Sequence, residues 1–256
     1  MTASLIPIRE LVSDSWNHYV SHWNRLLEAS LWLLAFPFLL LVASFALAPF
    51  NLDAAMIVFT VLSVLDGVFG VWITIRLIKL CLARNPQEEG AILANLHMGW
   101  DVYLPALWVS ILNSLVVLAG TLLFFFPGIW VGVLFAFSVI LVVAENRRGT
   151  QALAASAALV KGRWWSTLWR ILVPGALFLL LTYAAVQAIS FTVGLVAGFD
   201  TVNQVMNTVI SAETLTPDVL KANAISIFFS RIPEALFLPF YFLALTRLYR
   251  SLKDTR

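Results

Sequence analysis

The sequence predicts an all-α, polytopic membrane protein in which six transmembrane helices form three hairpins. Its residues are 61% hydrophobic with a mean hydropathy of +0.91, whereas soluble domains are roughly 45–50% apolar. The apolar residues collect in six stretches, each near the roughly 20 residues that a helix needs to cross a bilayer. Of the 16 Lys and Arg residues, 14 lie at one set of helix ends. Loops rich in Lys and Arg stay in the cytoplasm, so both termini are predicted to be cytoplasmic.

A short amphipathic helix is predicted on the cytoplasmic surface of the membrane before each hairpin. In the first, residues 8–27, apolar side chains recur at three- and four-residue steps and polar ones fill the other face. The second lies around Ile92 and Trp100, and the third, largely alanine, covers residues 149–165. Helices with one apolar face lie in the interface with that face in the acyl boundary.

The six predicted spans cover residues 28–49, 54–75, 103–126, 127–145, 168–198 and 232–248. A tight turn at Pro127-Gly128 joins the third span to the fourth. Because proline removes a helix hydrogen bond, breaks are expected at Pro37, Pro174 and Pro233. The helix that contains Pro233 is predicted to start at Thr216-Pro217-Asp218, since proline is favoured in a first turn. Each surface helix with its hairpin predicts a repeat unit, at 1–84, 85–147 and 148–256, within a single integral membrane domain of residues 1–256.

Asp66 is the sharpest anomaly, because it lies deep in the second span. A charged Asp at a helix centre costs roughly 2.5–3.5 kcal/mol on insertion scales, so this side chain should face the bundle or a wet cavity. It is either a proton- or ion-coupled site, or a protonated group that serves packing by bonding Asn113 or Ser114, the polar residues of span three. Arg231 and Glu234, near the outer end of span six, are spaced to pair with each other.

Two GxxxG steps predict close helix packing. Gly128 and Gly132 form one in span four, and Gly194 and Gly198 form the other in span five. Small residues let helix backbones approach. The contact lies within the chain by default, and between two copies in a homodimer as the alternative.

No catalytic site or cofactor is predicted, because the sequence has no nucleophile-and-base pair, phosphate loop or zinc motif. His18 and His22 share a helix face at a spacing that can hold a metal, but no third ligand is near, so no metal site is expected. Cys81 is the single cysteine, which excludes an internal disulfide. Nucleic-acid binding is not expected, since the basic residues follow membrane boundaries rather than forming a patch.

The stretch from Phe125 to Trp165 carries a recognisable motif. It contains Phe126-Pro127-Gly128-Ile129, then Glu145, then Lys161-Gly162-Arg163-Trp164-Trp165. This resembles the membrane domain attached to some bacterial glycerophosphodiester phosphodiesterases, and related stand-alone bacterial membrane proteins. The resemblance implies a six-helix domain of the bacterial cytoplasmic membrane, and no activity, because the phosphodiesterase catalytic barrel is a separate domain.

The motif also has a physical interpretation. Lys161, Arg163, Trp164 and Trp165 are predicted to bind anionic lipid headgroups, while Trp130 is predicted to mark the outer surface. Glu145 is expected to favour the start of the third surface helix through its dipole.

The favoured function is a non-enzymatic membrane module that organises membrane lipids or partner proteins through its surface helices. The alternative is an ion- or proton-coupled transporter or channel that uses Asp66. That alternative lacks two features at the sequence level: paired charges inside the membrane and an evident pair of broken helices.

Overall fold

The computed structural model describes residues 5–83, 85–94, 100–123, 125–210 and 216–255. Arg84 and Arg256, which belong to the predicted cytoplasmic set, and residues 95–99 of the second surface helix lie outside them. The helices are α1 (Ile8–Ser21), α2 (Trp23–Ser30), a 3-10 turn (Leu31–Leu34), α3 (Ala35–Leu47), α4 (Leu52–Leu82), α5 (Pro86–Ala94), α6 (Trp100–Leu123), α7 (Phe125–Phe135), α8 (Ser138–Glu145), α9 (Thr150–Val160), α10 (Trp164–Ala197), α11 (Phe199–Ile210) and α12 (Pro217–Asp254).

Every regular element in these residues is helical, and six of the helical stretches are long and apolar enough to cross a membrane. They are Trp23–Leu47, Leu52–Leu82, Trp100–Leu122, Phe126–Glu145, Trp164–Val196 and Pro217–Asp254. The predicted all-α polytopic fold is therefore confirmed.

The three prolines expected to break spans behave differently. Only Pro37 coincides with an interruption: the 3-10 turn Leu31–Leu34 immediately precedes α3, where a residue without an N–H leaves a carbonyl without its helix partner. The breaks predicted at Pro174 and Pro233 are wrong, because α10 and α12 continue through them. Proline is tolerated in membrane helices when neighbouring groups satisfy the freed backbone.

The start of α12 agrees with the sequence, whereas the start of span six does not. Val219 N donates to Thr216 Oγ1 at 3.3 Å, which satisfies one of the free N–H groups of the first turn. Because α12 is one helix from Pro217 to Asp254, span six begins farther out than residue 232. Residues predicted to lie at its outer end, Arg231 among them, are inside the helix.

Span four is two helices separated by a break at Ala136 and Phe137. Ser156 of α9 closes this break: its Oγ accepts a hydrogen bond from Phe137 N at 3.2 Å and donates one to Leu134 O at 2.7 Å. A side chain inserted into the backbone ladder is an established cause of helix kinks. Pro127 lies in the first turn of α7, so the tight turn predicted at Pro127-Gly128 is wrong; proline suits a first turn, whose N–H groups have no helix partner.

The helices form two compact units. Unit 1 contains Met1–Ala29, Val71–Leu177 and Pro239–Arg256, and unit 2 contains Ser30–Gly70 and Phe178–Leu238. The core of unit 1 gathers side chains of α1, α8 and the end of α12 around Leu11, Phe137 and Leu248, all 0% exposed. In unit 2, Ala48, Ala55 and Leu220 form a smaller buried cluster. The threefold repeat stays a prediction.

The predicted surface helices α1 and α9 direct much of their apolar faces at protein. Leu11 and Tyr19 of α1 are buried, and Tyr19 lies against Phe240. In α9, Ala152 and Val160 are fully buried, because small side chains permit close helix contact. These faces stabilise unit 1, and a position of the helices in the membrane interface stays a prediction.

Candidate functional site

Three charged residues meet in unit 2 and form what we call the ion cluster: Asp66 of α4 and Arg231 and Glu234 of α12. Arg231 Nη2 donates to Asp66 Oδ2 at 2.8 Å, and Arg231 Nη1 donates to Glu234 Oε2 at 2.7 Å. The guanidinium has several donors in a planar fork, so one arginine can serve two carboxylates at once.

The register of α4 and α12 explains why these side chains meet. Both helices run from the predicted outer side, and Ala55 and Leu220 belong to one buried cluster. Ala55 precedes Asp66 by eleven residues, the same number by which Leu220 precedes Arg231. Equal steps along two parallel helices bring both pairs to matching heights.

The ion cluster lies far from the helix ends. Asp66 and Arg231 are each fourteen residues beyond the first residue of their helices, Leu52 and Pro217, which is about 21 Å at 1.5 Å per residue. The hydrocarbon core of a bilayer is roughly 30 Å thick. With the helix starts at the membrane surface, the cluster is inside the hydrocarbon layer.

Two expectations about Asp66 are wrong. Its partner is Arg231 rather than Asn113 or Ser114; among the described residues Asn113 Oδ1 has no hydrogen-bond partner, and Ser114 is exposed. A second carboxylate does lie at the same level, because Arg231 links Asp66 to Glu234. The sequence pattern predicts span six to begin only at residue 232, so Arg231 and Glu234 are not expected at the level of Asp66. The pairing of Arg231 with Glu234 is confirmed.

The formal charges of the ion cluster do not cancel. One guanidinium faces two carboxylates, which leaves a formal charge of −1 when all three groups are ionised. The Asp66 side chain is 11% exposed, and those of Arg231 and Glu234 are 31% and 32% exposed. An ion pair alone would be neutral, and an uncompensated charge in a low-dielectric environment is unfavourable. Glu234 is therefore the residue that makes the cluster a site for one additional positive charge.

Unit 2 also contains an apolar cavity of about 420 Å³. Its walls come from α10, α11 and α12, and they include three hydroxyl groups, those of Ser190, Ser226 and Ser230. Ser230 directly precedes Arg231 in the chain. Small-molecule sites are commonly apolar cavities of about 300–1,000 Å³ with a few polar groups, so the cavity has the size and the lining for a small, mostly apolar solute.

The four predicted headgroup anchors do not act as one set. Arg163 donates to Thr255 Oγ1, and also to Thr255 O at 2.7 Å, which ties the start of α10 to the end of α12. Trp164 stacks on Trp130 at 4.8 Å and donates from Nε1 to Trp130 O at 3.2 Å. Lys161 is exposed and Trp165 is 68% exposed. Only these last two are open to lipid.

The stacking corrects the predicted position of Trp130. Two rings in contact are at one depth, so Trp130 and Trp164 cannot mark opposite membrane surfaces. The break between α7 and α8 makes their approach possible, because it redirects the first half of span four. No periodic pattern announces this break, since its partner, Ser156, is distant in sequence.

The glycines of the two GxxxG steps also differ in their roles. An added Cβ at Gly128 would lie 2.2 Å from Thr121 Oγ1 and 2.9 Å from Thr121 N, and one at Gly132 would touch Val117. This face therefore packs against α6 within the chain. Gly198 is different, because it follows α10 with φ of +92° and nothing near its Cβ position. It ends the helix in a left-handed conformation, so its predicted packing role is wrong.

Glu145 fixes the end of α8 instead of the start of α9. Its Oε1 accepts hydrogen bonds from Tyr249 Oη at 2.7 Å and from Lys253 Nζ at 2.8 Å. Arg147 lies 3.5 Å from Oε2. The carboxylate thus joins α8 to the end of α12 within unit 1, and the expected interaction with the dipole of α9 is replaced by this contact.

The histidine pair gains a neighbour that the sequence did not reveal. Glu89 of α5 lies beside His18 and His22, and one ligand atom from each of the three falls within 4.8 Å of the others. The expectation that no third ligand is near is therefore wrong. The distance of Glu89 along the chain hid it, because only the packing of α5 against α1 brings it there.

Compared with known proteins, the chain matches no family model, no curated protein and no solved structure. The resemblance to the phosphodiesterase-associated membrane domain therefore stays a prediction. Arguments about function depend on the site itself.

Proposed function

We propose that the protein couples the binding of a proton or a small cation at the ion cluster to the passage of a small solute across the membrane. The observation that carries this proposal is the arginine shared by two carboxylates about 21 Å from the helix starts. Ionisable residues inside membrane spans mark ion and substrate pathways. At the sequence level, this function ranks behind the lipid- or partner-organising module, because no paired charges are evident inside the membrane. The ion pair of Asp66 with Arg231 is such a pair.

The excess carboxylate gives the ion cluster two charge states. Empty, it carries a charge of −1 and is disfavoured by the hydrocarbon surroundings. With one proton or monovalent cation it is neutral. A permanently neutral pair would have nothing to release, whereas Glu234 gives the cluster a charge that it can gain and lose.

The cavity supplies the place for a solute. It holds about 420 Å³ and is bordered by Ser230, next to Arg231 in α12. A solute seated there would be adjacent to the cluster along the same helix. Coupling then requires only that a change of charge at the ion cluster alters the packing of α12 around the cavity.

The finer topology belongs to the same proposal: both termini are in the cytoplasm of a bacterium and the spans cross its inner membrane. Ile6 N donates to Ser251 Oγ at 3.0 Å, and Arg247 pairs with Asp14 at 3.2 Å. Contacts between the two ends of the chain support one side for both. The bias of basic residues supports the cytoplasmic side.

The test is charge displacement in proteoliposomes on a solid-supported membrane. The purified full-length protein is exposed to sudden changes of external pH, and separately of Na⁺ concentration. A cation that moves to the middle of the bilayer crosses about half of the transmembrane potential, so binding alone gives a transient current without any knowledge of the solute. We expect such a current with at least one of the two cations.

Variants identify the residue that produces the transient current. Glu234→Gln removes the excess charge and leaves the Asp66–Arg231 pair, so the transient should disappear while the protein stays folded. Asp218→Asn is the matched control, because Asp218 is an exposed carboxylate at the start of the same helix, and its current should equal that of the unmodified protein. An absence of current with both cations, or an equal current in Glu234→Gln, would contradict the proposal.

A second candidate function is the non-enzymatic module that organises lipids or a partner protein. The exposure of Lys161 and Trp165 favours it, together with Trp169, which is 52% exposed one turn further along α10. Native mass spectrometry of the detergent-solubilised protein should then show a preference for phosphatidylglycerol over phosphatidylcholine. Lys161→Gln should weaken this preference about fivefold, the equivalent of about 1 kcal/mol, and Lys221→Gln, which changes a lysine on the predicted outer side, should not.

A further inference from the structure

Unit 1 contains a second cluster of chemically active side chains that the proposed function does not use. His18 lies in the last turn of α1, His22 is the residue that caps this helix, and Glu89 comes from α5. The imidazole rings are stacked with centroids 4.2 Å apart, and a nitrogen of each ring and a Glu89 oxygen lie within 4.8 Å of one another. We propose that these three residues bind a divalent transition metal ion, Zn²⁺ first among them.

The chemical class follows from the donor set. Imidazole nitrogen and carboxylate oxygen together suit Zn²⁺ and its neighbours in the first transition series, whereas Ca²⁺ and Mg²⁺ prefer oxygen alone. Three protein ligands with a fourth position left to water is the usual pattern of an open zinc site. A metal at the C-terminal end of α1 also faces the negative end of the helix dipole.

The hydrogen bonds of His22 prepare its ring for a metal. Its Nδ1 lies 3.2 Å from His18 O and 2.9 Å from Ser21 Oγ. Ser21 Oγ already donates its own proton to His18 O, so Nδ1 carries the hydrogen and Nε2 keeps its lone pair. Metal-binding histidines are almost always oriented in this way, by a bond from the other ring nitrogen to a backbone carbonyl or carboxylate.

Glu89 is held by a comparable contact. Its side chain is 11% exposed, and Arg25 donates a hydrogen bond to its Oε2. The second oxygen, Oε1, is left to approach a metal. Arg25 therefore orients the carboxylate, as second partners of metal ligands do, and it comes from α2, immediately after the histidine pair.

The site also has cationic neighbours. Arg247 and Arg250 lie near enough to His18 to act on it as positive charges, while Glu89 acts on it as a negative charge. Arg247 is itself paired with Asp14 of α1, which reduces its repulsion of an incoming cation.

Binding requires the three side chains to close together. Zinc–ligand bonds of 2.0–2.2 Å in a tetrahedral site place ligand atoms about 3.3 Å apart, so a spread of 4.8 Å has to shrink by about 1.5 Å. Small rotations of the side chains supply this. The metal would then join α5, which follows span two, to the N-terminal helix.

The experiment is calorimetric titration of the purified full-length protein with Zn²⁺, with Co²⁺ absorption as a second probe of an N/O tetrahedral site. We expect one equivalent bound, and an affinity at least about tenfold weaker in His22→Ala and in Glu89→Gln, as for the loss of a metal partner. Glu88→Gln is the matched control, because it changes the same charge on the neighbouring residue of α5. Its affinity should match that of the unmodified protein.

Melting temperature separates lost binding from lost folding. Metal that binds only the folded protein raises its melting temperature. Without metal, Glu89→Gln and Glu88→Gln should melt within a similar range, and only Glu89→Gln should fail to shift upward with Zn²⁺. Equal shifts in both variants, or no stoichiometric binding to the unmodified protein, would overturn the proposal. Neither result bears on the ion cluster, whose currents are measured without transition metals.

Discussion

Replacement of Ser156 by alanine removes a side chain that closes the break in span four. Ser156 is 0% exposed, and its hydroxyl bonds both Phe137 N and Leu134 O. Alanine fills nearly the same space and makes neither bond. Two backbone groups would then be left without partners inside a membrane span, where water is not available to replace the hydroxyl.

The structure sets the size of the effect. A buried donor or acceptor without a partner costs about 1–3 kcal/mol, so two such groups give about 2–6 kcal/mol. Hydrogen bonds between membrane helices average only about 0.6 kcal/mol, because the unfolded chain in the membrane also finds partners. At about 0.6 kcal/mol for each of the two bonds, the lower limit for the loss of stability is about 1.2 kcal/mol. Because backbone groups at a fixed helix break have few alternatives, we expect a loss of about 2–4 kcal/mol.

The assay is reversible unfolding of the protein from mild detergent by dodecyl sulfate, followed by tryptophan fluorescence. Ser138→Ala provides the matched control. Ser138 directly follows the break and is also 0% exposed, but among the described residues its Oγ has no hydrogen-bond partner. Its replacement should change the free energy of unfolding by less than about 0.5 kcal/mol, or raise it, since an unsatisfied buried hydroxyl is lost.

Equal losses in the two variants would refute the reasoning, because the effect would then come from the removal of any buried hydroxyl at this place. A loss below about 1 kcal/mol in Ser156→Ala would also refute it. The break in span four would then be satisfied by other means, and α9 would not be required to close it.

Three other substitutions can be measured by the same unfolding assay. Gly128→Ala should cost about 1–3 kcal/mol, because its Cβ would lie 2.2 Å from Thr121 Oγ1; an unchanged stability would mean that α6 and α7 are not in close contact. Glu145→Gln should lower the free energy of unfolding by about 1–2 kcal/mol, since it weakens the contacts to α12. In a protein that already carries Tyr249→Phe, Glu145→Gln should cost less, because one of these contacts is already absent. Gly198→Ala should cost about 1–2 kcal/mol through its left-handed φ of +92°, and no loss would argue against that conformation.

The membrane fold could be predicted from the sequence because its signals are local. Spans of about 20 apolar residues and a helix start at Thr216-Pro217 each depend on consecutive residues, and the structure contains them. Breaks at prolines are harder to predict, because a proline in the sequence shows only that one backbone carbonyl loses its helix partner. Whether the helix is interrupted depends on what replaces the bond, and α10 and α12 continue through Pro174 and Pro233.

The sites could be predicted only in part, because each is made by residues far apart in the chain. Asp66 was singled out from its position in a span, but its partner Arg231 lies 165 residues away. The signal that could have located it was already present: an arginine and a glutamate in a helix whose start at Pro217 places them well inside. His18 and His22 were noticed from their spacing, and Glu89 depended on packing that no local pattern encodes.

The most direct test of the account is the depth of the ion cluster in the bilayer. A nitroxide label is attached at Leu65→Cys, an exposed position next to Asp66, in a Cys81→Ala background, and a reference label is attached at Phe50→Cys, which is 89% exposed between α3 and α4. Electron paramagnetic resonance then compares collisions with oxygen, which concentrates in the hydrocarbon, and with a water-soluble nickel chelate. The account predicts that the label at residue 65 meets oxygen and is shielded from nickel, while the label at residue 50 meets nickel. Similar nickel accessibility at both positions would place Asp66 at the membrane surface and contradict it.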